Sequence, residues 1–426
     1  MESSVDLKRS PDRWWLMVLL MASMTFCYAQ RGAMSVAAPL AMRELGLSPA
    51  TLGILLSSFF WAYAFMQLPA GWLVDRIGPK WSYMFGYLLG SMAFGLTGLF
   101  NTLIPLAALR VFLGAGQAVI FPASARAVAD CFNDKERGTV TAAYLMGVRV
   151  GQALVGYLAA HFLNAYGWRT FFLVCGAVPL LWLFPWLGFW RKSERKEVAA
   201  VRSPAGNAQK GLSFKESIAL LKQKSVLGIF LGFFAYDYAW FVYVAWLPGY
   251  LVMERHFSVE EMGIYSSAPY IAMLVVILLS GFLSDRLVGR GLSETRVRKA
   301  FIISGLAIGC LIIPAGLVGS KLTAVWLLTI ALCGLGIATP NTWTLTQAVC
   351  AKKIVGTASG IQNFGGNVGG IIAPLLTGYI AHTTGSFALA LIITGAILAG
   401  GILAYGFLIQ NSLPESLTGG GTDVIS

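Results

Sequence analysis

Apolar residues in this chain come in long uninterrupted runs, with polar and charged positions gathered between them. Twelve such runs cover residues 14–38, 50–73, 81–100, 103–129, 139–162, 168–190, 225–252, 260–284, 299–318, 322–348, 354–381 and 385–409. Crossing the hydrocarbon of a bilayer takes about 20 mostly apolar residues. Lipid offers no partner to a bare backbone group, so each run predicts a spanning helix. Lys8, Arg9 and Arg13 precede an apolar stretch that imitates a secretion signal ending near Tyr28. The run continues to about Ala38, too long for such a signal, and reads as a retained first helix. The expected fold is an all-α membrane protein of twelve transmembrane helices.

The longest polar interruption, 191–224, is charged and contains Ser203-Pro-Ala-Gly-Asn207. It reads as a solvated linker between an N-terminal six-helix bundle, 1–190, and a C-terminal one, 225–426. An internal repeat supports two pseudo-symmetric halves. Gly71-Trp-Leu-Val-Asp75-Arg76-Ile-Gly78-Pro-Lys80 follows the second run, and Gly281-Phe-Leu-Ser-Asp285-Arg286-Leu follows the eighth. Repeated halves around a midplane site are a transporter pattern.

Composition agrees: 57% of residues are hydrophobic and 12% charged, against about 25% charged in soluble domains. The net charge of +12 raises nucleic acid as a partner. The basic residues, however, are spread over short loops. Twenty-three of the 31 Lys and Arg fall on the N-terminal side of the predicted membrane, four on the other side and four within spans. That asymmetry places both termini in the cytoplasm. The six Cys have no CxxC spacing and the three His do not cluster, so neither a metal nor a cofactor is indicated. No Gly-x-x-x-x-Gly-Lys-[Ser/Thr] loop is present, which argues against an ATP-driven pump. No glycosylation sequon occurs, which favours a bacterial inner membrane.

Four Arg lie inside runs, and Arg31 is deep in the first. A guanidinium there costs about 2.5–3.5 kcal/mol on insertion scales unless it faces protein or water. Arg31 therefore reads as the anchor of an anionic substrate; snorkelling or pairing with a buried acid is the plainer alternative. Arg149 falls near the middle of the fifth run, with Gln152 at i+3. It is read either as cavity-lining or as half of an internal ion pair. Asp237 is the acid deepest in a run, and is read either as a proton carrier or as an ion-pair partner. Trp343 and Thr344, with Asn341 and Gln347, lie on the tenth run; Asn363 and Asn367 lie one turn apart on the eleventh. Uncharged polar groups there suit a polyhydroxylated ligand, or interhelical hydrogen bonds.

The Gly-x-Leu-x-Asp-Arg-x-Gly-x-Lys loop resembles the signature of the major facilitator superfamily. Within it, four blocks resemble the anion:cation symporters, which include sugar-acid transporters. They are Tyr28–Pro39, Gly116-Gln-Ala-Val-Ile-Phe-Pro122, Trp246-Leu-Pro-Gly-Tyr-Leu251 and Gly360-Ile-Gln-Asn363-Phe-Gly-Gly-Asn367-Val-Gly-Gly-Ile-Ile-Ala-Pro374. The resemblance implies a secondary transporter that moves a small organic anion, a sugar acid or other carboxylate, by alternating access. It places Arg31 and Tyr63 at the substrate; Tyr63, Gln67 and Tyr28 offer hydrogen bonds to its hydroxyls, and Gln117, in the Gly116–Pro122 block, is a further substrate candidate. Tyr63 has packing as its alternative role. Proton-coupled relatives commonly carry acids where this chain has Gln30 and Gln117, and share an Arg at Arg110. Neither amide titrates, so the coupling ion, a proton or another cation, is left open. Asp75, Arg76, Lys80, Asp285 and Arg286 are expected to act in gating. A monomer is expected. The alternatives are an organophosphate/phosphate exchanger, disfavoured by the absence of an Arg from the seventh run, and a non-transporting membrane sensor.

Overall fold

Proline and glycine, not loops, shape much of this helical chain. The computed structural model describes residues 13–132, 134–197, 220–350 and 355–409. Among these residues there is no strand. The elements are α1 (Arg13–Leu45), α2 (Pro49–Leu96), α3 (Leu103–Ala118), α4 (Ile120–Cys131), α5 (Asp134–Leu180), α6 (Leu183–Glu197), α7 (Lys224–Met253), α8 (Val259–Gly289), α9 (Glu294–Gly309), α10 (Ile312–Leu317), α11 (Lys321–Val349), α12 (Val355–Thr384) and α13 (Ala388–Leu403), which runs into a π-helical segment, Ala404–Leu408. α2 and α5 each bend sharply at one glycine. Gly78 (φ 79°) and Gly167 (φ 76°) occupy the left-handed region that a side chain disfavours. Each of these long elements is therefore two spans joined by a tight turn, and the turn in α2 is the repeated Gly-x-Leu-x-Asp-Arg loop. α2 begins with Pro49 behind Ser48, whose hydroxyl accepts from Thr51 N at 3.1 Å. α8 begins with a reciprocal cap in which Ser258 N donates to Glu261 Oε2 and Glu261 N donates to Ser258 Oγ.

Nine helices among the described residues are long and apolar enough to cross a membrane. The expected spans 14–38, 81–100 and 139–162 are also helical, but too polar to meet that measure. The first carries Gln30 and Arg31, the second Ser82, Tyr83, Tyr87 and Ser91, and the third Arg149 and Gln152. All of these except Arg149 are buried. Polarity and burial thus coincide in the same helices. The contrast with α8 is clear: 17% of its apolar window is buried, against 72% for α7. α8 turns Leu278, Leu279 and Phe282 outward, as a lipid-facing helix must.

The chain falls into two units of contacting residues. The first comprises 1–205, 244–270 and 374–385; the second comprises 206–243, 271–373 and 386–426. In the first unit, Ser35 Oγ donates to Val244 O at 2.7 Å, and Trp246 Nε1 donates to Pro374 O at 3.1 Å. Glu44 holds the end of α1 to α5 by accepting from Arg169 Nη2 at 2.7 Å and Trp168 Nε1 at 2.5 Å.

Helix packing inside the two units repeats. In the first, α5 lies on α1 so closely that a side chain at Gly151 would meet Thr25 O and Ala29 N. In the second, α12 lies on α7 so closely that a side chain at Gly369 would meet Phe234 O and Tyr238 N. The first helix is shifted by 209 positions (Thr25 to Phe234, Ala29 to Tyr238), and the glycine helix by 218 (Gly151 to Gly369). A second pair of backbone approaches, Gly86 against Gly116, returns as Gly305 against Gly334. Under these shifts Tyr28 corresponds to Asp237, and Arg149 to Asn367.

Valine at Gly151 or at Gly369 should each lower stability by about 1–3 kcal/mol, the usual cost of overpacking. Gly360→Val is the control, because nothing lies within 4 Å of a side chain built there. Thermal unfolding of the purified variants measures the difference, and equal melting of all three would contradict the repeated close packing.

Candidate functional site

Arg31 is the centre of the first unit's polar cluster. It is 6% exposed. Its guanidinium carbon lies 4.3 Å from the Tyr28 ring centroid, 4.5 Å from Tyr63 and 4.8 Å from Phe59. Tyr28 is three residues earlier on α1, hence on the same face. Phe59 and Tyr63 are one turn apart on α2, and their rings stack at 5.3 Å. Each aromatic face attracts the cation by about 0.5–1 kcal/mol when exposed, and by about 2 or more when desolvated. Phe59 and Tyr63 are held in place by α3, which approaches so closely that a side chain at Gly114 would collide with Phe59 O.

The remaining contacts are neutral amides. Arg31 Nε donates to Gln117 Oε1 at 2.7 Å. Gln117 Nε2 donates to Cys27 O at 3.3 Å and to Gln30 Oε1 at 3.2 Å. Gln30 Nε2 in turn donates to Ser91 Oγ at 3.2 Å and Cys175 O at 3.3 Å. The Arg31 donor thus fixes which end of Gln117 faces it, and Gln117 fixes Gln30. The chain links α1, α2, α3 and α5 without a titratable group. The Gln117 amide oxygen gives Arg31 a hydrogen bond but no countercharge.

Arg110, on the same helix as Gln117, does not bond that amide. Its Nε and Nη2 donate to Leu55 O and Leu56 O, both at 3.3 Å, and it lies 5.5 Å from the Phe59 centroid. Arg31 and Arg110 therefore share one ring and are at most 10.3 Å apart (4.8 and 5.5 Å from its centroid). At that distance like charges repel by about 1.6 kcal/mol or more at an effective dielectric constant near 20. Gln152 is buried against α1, with Oε1 2.6 Å from where a Gly32 side chain would begin, and its Nε2 has no partner among the described residues. Arg149 is half-buried on the same helix, in the electrostatic reach of Tyr270. Gln67 is half-buried, one turn beyond Tyr63 on α2.

The second unit has its own cluster. Asp237 is half-buried on α7, and its carboxylate fills the space that a side chain at Gly366 would need. Gly366 lies between Asn363 and Asn367, whose Nδ2 donates to Asn363 O at 2.9 Å. The neighbouring Gln362 accepts from Thr346 Oγ1 at 2.5 Å, tying α12 to α11. Trp343 is 38% exposed and sets its edge against Phe233 at 5.2 Å. Thr344 spends its hydroxyl on Pro340 O and Asn341 O within its own helix.

Asn341 belongs to a different assembly that the sequence reading missed. Arg298, 5% exposed, donates to Asp285 Oδ1 at 2.6 Å, Ser284 Oγ at 2.7 Å and Asn341 Oδ1 at 3.3 Å. It thereby joins the second repeat of the Gly-x-Leu-x-Asp-Arg loop to α9 and α11, while Arg286 is exposed. The first repeat is dressed differently: Arg76 lies over Trp72 at 5.1 Å and Lys80 over Trp81 at 4.6 Å. The Asp75 side chain lies outside the described residues.

Residues 19–374 match the family model for the Major Facilitator Superfamily. The chain belongs to the Major Facilitator Superfamily. This facilitator is 32% identical over 408 residues to a probable L-galactonate transporter of Escherichia coli K12, covering 94% of this chain and 90% of that protein. It is 31% identical over 433 residues to a probable galactarate/D-glucarate transporter of the same organism, covering 95% and 97%. Its fold matches the crystal structure of a bacterial homologue of the human lysosomal transporter Spinster, in an inward-facing, unoccupied conformation. That match has a TM-score of 0.76 at 20% identity, over 93% of this chain and 96% of that one. The facilitator is an integral membrane transporter and not an enzyme.

Gln117→Leu deprives Arg31 Nε of its acceptor and Gln30 Oε1 of its donor. It should cost about 1–3 kcal/mol, the price of leaving buried polar groups unmet. Gln117→Glu keeps the acceptor and should melt at or above the wild-type temperature. Thermal unfolding of the two variants checks this; an unaffected Leu variant would mean that the amide chain contributes nothing.

Proposed function

We propose that this facilitator is a secondary transporter for a sugar acid, with Arg31 as the receptor for its carboxylate. The observation that carries the reading is the Arg31 guanidinium, buried beneath three aromatic rings with an amide where a countercharge would otherwise sit. An incoming carboxylate supplies that charge through two parallel hydrogen bonds. Tyr28, Tyr63, Gln67, Gln117, Arg149 and Gln152 complete the polar surface in the first unit. Trp343, Thr344, Asn363 and Asn367 are the substrate-binding candidates that belong to the second unit. The orphan Gln152 Nε2 suits a hydroxyl or carboxylate oxygen. The galactonate and galactarate/glucarate names of the relatives support the substrate class.

The protein works by alternating access between two six-helix bundles, as a monomer in a bacterial inner membrane with both termini cytoplasmic. The loop residues Asp75, Arg76, Lys80, Asp285 and Arg286 act in gating, and the Arg298–Asp285 bond supports that role for the second loop. Nucleic acid plays no part. Coupling to protons is weak or absent, because Gln30 and Gln117 cannot titrate. Asp237 and Arg110 shape the charge of the interior, and Asp237 is the acid available if a proton or another cation is carried.

Uptake into liposomes tests both claims. Arg31→Ala should abolish sugar-acid uptake while the protein stays folded. Arg31→Lys should rescue poorly, because an ammonium lacks the planar fork. Normal uptake by Arg31→Ala would refute the assignment. An imposed pH gradient should change wild-type accumulation little, with or without a protonophore. Strong proton-driven accumulation that disappears in Asp237→Asn would reverse the uncoupled reading.

A further inference from the structure

The two guanidiniums beside Phe59 raise a question of charge that one carboxylate does not answer. Arg31 and Arg110 are 6% and 4% exposed. Among the described residues neither forms an ion pair. Arg31 bonds an amide oxygen and lies over aromatic rings, and Arg110 bonds two main-chain carbonyls. Arg110 Nη1 is buried and has no acceptor among the described residues. Gln30 and Gln117, the positions at which an acid would neutralise this pair, are saturated by one another and by Ser91, Cys175 and Cys27. The cluster therefore holds two cations with neutral acceptors and no acid to balance them.

Buried charge is costly until it is paired, and like charges sharing one aromatic ring add mutual repulsion. A ligand with a single negative charge relieves one guanidinium and leaves the other. A ligand with two relieves both. We propose that the site is built for an organic dianion: Arg31 binds one carboxylate, and Arg110, across Phe59, balances the second charge. This inference rests on the sugar-acid reading above and narrows it to the diacids. Arg110 acts here through its charge and as a positioning residue, since two of its nitrogens are committed to α2.

Galactarate and galactonate make the test direct, because they differ only in having a carboxylate or a hydroxymethyl group at one end. Calorimetric titration of the purified full-length protein should show galactarate binding about tenfold or more tightly than galactonate, a difference within the range of close charge pairs. In Arg110→Gln the ratio should fall toward one, mainly through weaker galactarate binding. In Arg110→Lys, which keeps the charge but not the carbonyl fork, most of the preference should survive. Equal affinities in the wild type would overturn the proposal, whether or not the variants fold. A wild-type preference retained in Arg110→Gln would overturn the role of Arg110. If folded wild type binds neither sugar acid, the sugar-acid reading fails by itself, and adipate against hexanoate then tests the charge preference alone. Tighter adipate binding sustains the dianion site, and its absence ends the proposal.

Discussion

A guanidinium inside a membrane protein has to be solvated by the protein itself, and this constraint organises the first unit around Arg31. Water is replaced by three aromatic faces and one amide oxygen, contributed by α1, α2 and α3. The rings come close enough only because α3 has a glycine where it crosses Phe59. The amide is correctly oriented only because Gln30 and Cys27 O occupy its other end. A residue that reads as one charge in an apolar run is thus the focus of a network spanning several helices. Amides rather than acids surround it, so the network holds the cation without neutralising it. That is the electrostatic requirement for an anion receptor whose ligand provides the missing charge.

The same packing device is used twice with different chemistry. Gly151 of α5 against α1 and Gly369 of α12 against α7 make the same backbone approach, so the two units share a helical frame. Within that frame Tyr28 stands where the other unit has Asp237, and Arg149 where it has Asn367. At these two positions a tyrosine and an arginine in one unit correspond to an acid and an amide in the other. Repetition supplies the scaffold, and the departures from it give each unit its own chemistry.

Much of this was legible in the chain. Long apolar runs imply membrane helices, a charge within one implies a site, and the repeated Asp-Arg loop implies two related halves. Arg31, Tyr28, Tyr63, Gln117 and Gln30, read as separate candidates, do meet in space. The partners were not legible, because they depend on which helix faces cross. Arg110 meets main-chain carbonyls, which carry no sequence signal. Arg298 was counted only as one positive residue of a loop, yet the fold buries it between Asp285, Ser284 and Asn341. A clue was available in its spacing: Arg298 follows Glu294 by one helical turn, and the two lie 3.5 Å apart. Thr344 adds a local contact that the sequence does not show. A hydroxyl in an apolar run invites a ligand, whereas its own helix supplies two acceptors.

The account stands on Arg31 recognising an anion. The most direct measurement is calorimetric titration of the purified protein with galactonate and with galactitol, in which the carboxylate is replaced by a hydroxymethyl group and every other hydroxyl is kept. A receptor organised around a buried guanidinium should bind galactitol at least about a hundredfold more weakly, and Arg31→Met should erase that difference. Comparable affinity for the acid and the alcohol in the wild-type protein would contradict the account.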